Sequence, residues 1–95
     1  MKLPKISSYY PYSSSNYGAN SLRVDFDNLS LFFSYETVIA FQEYGHLPVV
    51  RKNDWSNTTG KHINAIEPDK SKRLNGDEFE SKLIEVLKKY KLSQE

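Results

Sequence analysis

Between residues 22 and 35 apolar and polar side chains alternate on both sides of a two-residue break, a pattern that few folds accommodate. Leu22, Val24 and Phe26 alternate with Arg23 and Asp25, the period of two expected of a half-buried strand. Asp27 and Asn28 tolerate the left-handed backbone that tight hairpin turns use. Leu29, Leu31, Phe33 and Tyr35 then share one face, with Ser30, Phe32 and Ser34 on the other. The chain is therefore expected to contain a β-hairpin. Thr-Val-Ile-Ala-Phe at 37–41 is short and rich in β-branched residues, which favours a third strand. Val49 and Val50 follow Pro48 and read as a fourth, with the proline at its start or on an edge, where a missing donor does least harm.

The second strong pattern lies at the C-terminus. Phe79, Leu83, Val86, Leu87 and Tyr90 make one apolar stripe at helical spacing. Asn75 with Glu78 three residues on has the form of a capping box, and acids lead while lysines end the segment, as the helix dipole favours. Ile63 and Ile66 suit a short helix over about 59–66 that faces the sheet. The expected architecture is α+β: a three- to four-stranded antiparallel sheet over about 21–51, packed by an amphipathic helix over about 76–91. One helix would leave a sheet face uncovered, and such a face could drive homodimerisation.

With 95 residues the chain is expected to make one domain, and a core of this size leaves little stability for an elaborate active site. No apolar run approaches the length of a membrane span, and the first residues do not read as a signal peptide. Without cysteine there is no disulfide, thiolate metal site or thiol nucleophile. Thirteen basic residues nearly balance twelve acidic ones, which argues against gripping nucleic acid by bulk charge. Residues 1–20 are biased to tyrosine and serine, with Tyr9, Tyr10, Tyr12 and Tyr17 among serines and prolines. Aromatics oppose disorder, so this arm is expected to be partly ordered.

Catalytic patterns are weak. His46 and His62 lie far apart with no second ligand at metal-binding spacing, no serine sits in a nucleophile elbow, and Asp25 should face solvent. No cofactor is expected. The informative window runs from Asn53 to Asn64. Trp55 could stack on a base or anchor a protein contact. Asn53, Thr58, Thr59, Gly60, Lys61 and His62 surround a helix start whose free N–H groups would suit a phosphate or carboxylate. Thr59-Gly60-Lys61 is only a fragment of a phosphate loop, since the earlier glycine is missing. Arg51, Lys52, Lys70, Lys72 and Arg73 add a locally basic segment over 51–73, offset by Asp54, Glu67 and Asp69.

Ser-Ser-Ser-Asn-Tyr-Gly at 13–18 and Trp-Ser-Asn-Thr-Thr-Gly-Lys-His at 55–62 carry a resemblance. Together with the hairpin between them, they resemble a family of short uncharacterised proteins encoded by bacteriophages, plasmids and their bacterial hosts. The resemblance implies a mobile-element origin and the cytoplasm of a bacterial host. It supplies no activity, but it draws Asn16 and Tyr17 together with the Trp55–His62 motif as one set of positions. The leading expectation is a small non-enzymatic binding protein that acts on a host protein, such as an inhibitor of a defence or regulatory system. Two other readings stay open: a binder of a nucleotide or other small phosphate, and a weak nucleic-acid-binding accessory protein using the 51–73 cations.

Overall fold

A computed structural model describes residues 3–9, 20–55 and 57–92. The strands are β1 (Lys5–Ser8), β2 (Leu22–Asp25), β3 (Leu29–Ser34), β4 (Thr37–Glu43) and β5 (Val49–Val50); the helices are α1 (Asn57–Ile66) and α2 (Gly76–Lys89). Among the described residues the strands form one antiparallel sheet in sequence order, β1 through β5. The α+β class is as expected, but the sheet has five strands, one more than the upper expectation. The additional strand is β1, which pairs Ile6 with Val24. Its Lys-Ile-Ser-Ser sequence has too little apolar alternation to be read as a strand by itself, and pairing with β2 imposes the extended form. Part of the N-terminal arm is thus built into the sheet.

The β2–β3 hairpin keeps the expected register, Asp25 opposite Ser30 and Val24 opposite Leu31. Its turn closes through a 2.7 Å bond from the Phe26 N–H to the Leu29 carbonyl. Neither Asp27 nor Asn28 adopts a positive φ, so the left-handed backbone expected there is not used. It appears instead in the next turn, where Tyr35 has φ 55°.

Both faces of the sheet are covered. On one, Leu29, Leu31 and Phe41 pack against Phe79 and Val86 of α2, with Phe33, Leu83 and Leu87 at the margin. On the other, Phe32, Ile39, Ala40 and Val50 pack against Ile63 of α1, with Tyr9 and Ile66 beside them. A bulge makes the second layer. Opposite the Phe32–Phe33 step the register shifts from Ala40 to Val38, which leaves Ile39 as the extra residue. Ile39 and Ala40, consecutive in sequence, both reach zero exposure in the same layer. The face expected to be left open for homodimerisation therefore lies under α1, which begins two residues before the expected 59.

α2 forms as its sequence dictates. The Asn75 side chain accepts from the Glu78 N–H at 2.9 Å, and its amide donates to Glu78 Oε1 at 3.1 Å, closing the capping box. At the far end Lys89 Nζ and Tyr90 OH both donate to Glu43 Oε2, at 2.8 and 2.7 Å, and tie the helix to β4.

Candidate functional site

After β5 the backbone continues straight into a short parallel contact, with Lys52 N–H donating to the Leu74 carbonyl at 2.7 Å and Leu74 N–H to Val50 at 2.9 Å. This contact carries Arg51 inward. Its guanidinium, expected among the exposed cations, is almost wholly buried. It lies 4.4 Å from the centre of the Trp55 ring and 5.8 Å from that of Phe79. Asp54 Oδ2 accepts from Nη2 at 3.0 Å, and Glu80 Oε1 stands 3.7 Å from Nη1. A Cβ on Gly76 would fall 2.6 Å from Nη2, so the start of α2 is shaped around this arginine. Arg51 is a support for Trp55: a stack of this kind is worth roughly 0.5–2 kcal/mol, more as it is desolvated.

Trp55 itself remains 50% exposed. Its backbone N–H donates to Asn53 Oδ1 at 3.0 Å, which fixes the bend that presents the ring. Across a cleft of about 330 Å³ stands Tyr35, also 50% exposed, and Ser34, Thr37, Ile39 and Thr59 complete the lining. The Tyr35 conformation is rare for a bulky side chain, and its N–H donates to the Asn20 carbonyl at 2.8 Å, which holds it. Two aromatic rings, one on a buried cation and one on a strained turn, thus flank a hydroxyl-lined cleft.

Behind the cleft Ser34 Oγ lies 2.7 Å from His62 Nδ1 and donates to Thr59 Oγ1 at 3.1 Å. The direction of the Ser34–His62 bond follows the imidazole tautomer, since a serine hydroxyl can donate or accept. The distance would suit a nucleophile and base. Both side chains, however, are shut from solvent, at 3% and 1% exposure, and the rings of Tyr9 and Tyr35 each lie 6.1 Å from the imidazole. Burial holds the His62 pKa below its ordinary value and pushes that of Tyr9 up. The Tyr9 hydroxyl donates to the Phe33 carbonyl at 2.9 Å. Thr59 and His62, expected to offer a binding surface at a helix start, serve instead as polar fasteners between α1 and the sheet.

The remaining positions divide. Asn53 and Gly60 face a second cleft, with Lys52, Asn64, Lys70, Ser71 and Arg73. Thr58 is partly buried and Lys61 exposed, and neither lines either cleft. Asn16 and Tyr17 lie outside the described residues. Among the described residues no group of three or more His, Cys, Asp or Glu could hold a metal ion, and no helix is long and apolar enough to cross a membrane. Ser34, Tyr35 and Thr37 escaped the sequence reading because their role follows from how the β3–β4 turn folds. The two-residue gap at Tyr35-Glu36 was the available signal.

A model of a family of unknown function (DUF8033) matches residues 1–81. The chain belongs to that family. The span shared with DUF8033 contains all five strands, α1 and the first part of α2, and so the whole lining of both clefts. Comparisons with curated proteins and with solved structures give no match.

Proposed function

We propose that this DUF8033 protein is a small non-enzymatic binding protein that recognises a protein partner through the Trp55–Tyr35 cleft. The observation that carries this reading is the state of Trp55: half of an indole is left in water while the other side is held on a buried guanidinium. Burying the ring completely would have added to a small core. Rigid, pre-positioned aromatics are the usual anchors of protein interfaces, because little entropy remains to be lost on docking. Tyr35 supports the same reading, since a backbone conformation that costs stability presents its ring to the same cleft.

The finer reading follows from the resemblance of the Tyr17 and Trp55 motifs: a phage or mobile-element protein acting in the bacterial cytoplasm on a host defence or regulatory protein. Quantitative co-purification from host lysate tests it. A partner enriched by the wild type should be held about 30-fold less tightly by Trp55→Ala, the hot-spot scale of about 2 kcal/mol. Identical partner profiles for the two proteins would overturn the assignment of the cleft.

A further inference from the structure

The second cleft, on the other side of α1's first turn, has a volume of about 610 Å³, within the range of pockets that hold small molecules. One of its walls is Arg73, whose side chain is more than nine-tenths buried. The guanidinium is fixed from behind: Nε and Nη2 donate to the Glu67 carbonyl at 3.1 and 2.8 Å, and Nη2 also donates to Asn64 Oδ1. Every one of these acceptors is neutral. Among the described residues no carboxylate forms an ion pair with Arg73. The two nearby acids make their hydrogen bonds elsewhere, and the exposed Asp69 carboxylate acts on Arg73 only as an attraction at a distance, with no direct bond. Asp69 Oδ1 accepts from the N–H and hydroxyl of Ser71, at 3.0 and 2.7 Å, and Glu67 Oε2 from the Asp69 N–H at 3.3 Å. Buried charges in proteins are normally balanced, because removing one from water without a counter-charge is expensive.

The other charges on the cleft do not balance it but add to it. Lys52 and Lys70 are exposed, line the same cavity, and form no ion pair among the described residues. Gly60 contributes the close approach. A Cβ there would come 3.0 Å from Asn53 Nδ2, so glycine lets the Asn53 amide lie against the first turn of α1. Arg73 supplies a fixed planar donor, and the two lysines supply mobile point charges.

We infer that the Lys52–Lys70–Arg73 cleft is a binding site for a small phosphate monoester. Three cations match a group carrying about −1.5 to −2 charge better than a carboxylate, which would leave two of them unopposed. A polynucleotide would call for a track of cations along the surface, whereas Lys61 lies outside this concavity. The inference stands apart from the proposed partner cleft, since neither Trp55 nor Tyr35 lines this cavity.

Titration of the ¹⁵N-labelled protein with inorganic phosphate, at constant ionic strength against a chloride control, tests it. Saturable shifts are expected at the amides of Lys52, Asn64 and Ser71. Replacing both exposed lysines, Lys52→Ala with Lys70→Ala, should leave the fold intact and weaken binding about tenfold or more, the scale of a lost charge-assisted contact. Phenyl phosphate should bind more tightly than benzoate. Trp55→Ala should bind phosphate as the wild type does, which separates this site from the partner cleft. Shifts no different from those in chloride, or phosphate affinity unchanged in the double lysine variant, would overturn the site. Benzoate binding as tightly as phenyl phosphate would overturn the ligand class.

Discussion

Arg51 and Gly76 depend on each other closely, and opposing effects meet there. Gly76 opens α2, so alanine would improve helix propensity by up to about 1 kcal/mol. The added Cβ would stand 2.6 Å from a buried guanidinium nitrogen, and overpacking of this kind costs roughly 1–3 kcal/mol. The guanidinium is buried beside Trp55 and Phe79, so moving it aside would disturb both contacts, and the clash should win. Gly76→Ala is expected to lower stability by about 1 kcal/mol in urea denaturation and to shift the emission of Trp55, the chain's one tryptophan. His62 makes a different residue-scale prediction. Its folded-state pKa lies below 6.5, so below that pH the unfolded chain takes up more protons than the folded one. Stability should be intact above pH 6.5 and fall as pH drops through the folded-state value. Urea midpoints measured from pH 7.5 to 5.5 should show that slope in the wild type, and His62→Gln should flatten it.

At the scale of the element, the β3–β4 turn separates stability from function. A left-handed bulky residue costs about 1–2 kcal/mol relative to one suited to that region, and asparagine is such a residue. Tyr35→Asn should therefore keep or raise the unfolding midpoint, within about 1 kcal/mol, after losing a ring that is half in water anyway. Partner affinity should fall in the same variant. Loss of both together would mean that the ring is simply core. The elements themselves were legible where one strong local pattern governed them. The β2–β3 alternation and the α2 stripe with its Asn75–Glu78 box needed nothing beyond their own sequence. β1 was not legible, because Lys5–Ser8 becomes a strand only by pairing with Leu22–Asp25. The two-sided burial was hidden for a related reason. The bulge at Ile39 places two neighbouring residues in one layer, and no periodicity announces an extra residue. The same distance from local pattern explains the sites. Trp55 stood out by its chemistry, but its neighbours Tyr35 and Thr37 come from another turn, and Arg73 meets Lys52 only because Arg51, just past β5, bridges to Leu74.

Over the whole molecule one sheet carries two apolar layers, and neither layer can persist without the strands it shares with the other. Phe32, Ile39 and Ala40 face α1, while Leu31 and Phe41, on the same two strands, face α2. Arg51 ties the α2 layer to the Trp55 cleft, with its guanidinium near Phe79 on one side and Trp55 on the other. Such coupling predicts a single cooperative unfolding transition, as small single domains generally show. Ile63→Ala removes a fully buried side chain beneath α1 and should cost about 2–4 kcal/mol through lost burial and the cavity left behind. The midpoint should fall equally by far-UV circular dichroism and by Trp55 fluorescence, although Ile63 belongs to one layer only. If α1 instead loosened first, the two signals would part in this variant, the fluorescence moving ahead of the dichroism. Both clefts border α1, so that outcome would make their geometry depend on a separately opening helix, and partner and phosphate binding would then weaken together in Ile63→Ala. Coincident transitions require the opposite: at denaturant concentrations below the midpoint the folded fraction of Ile63→Ala should bind as the wild type does.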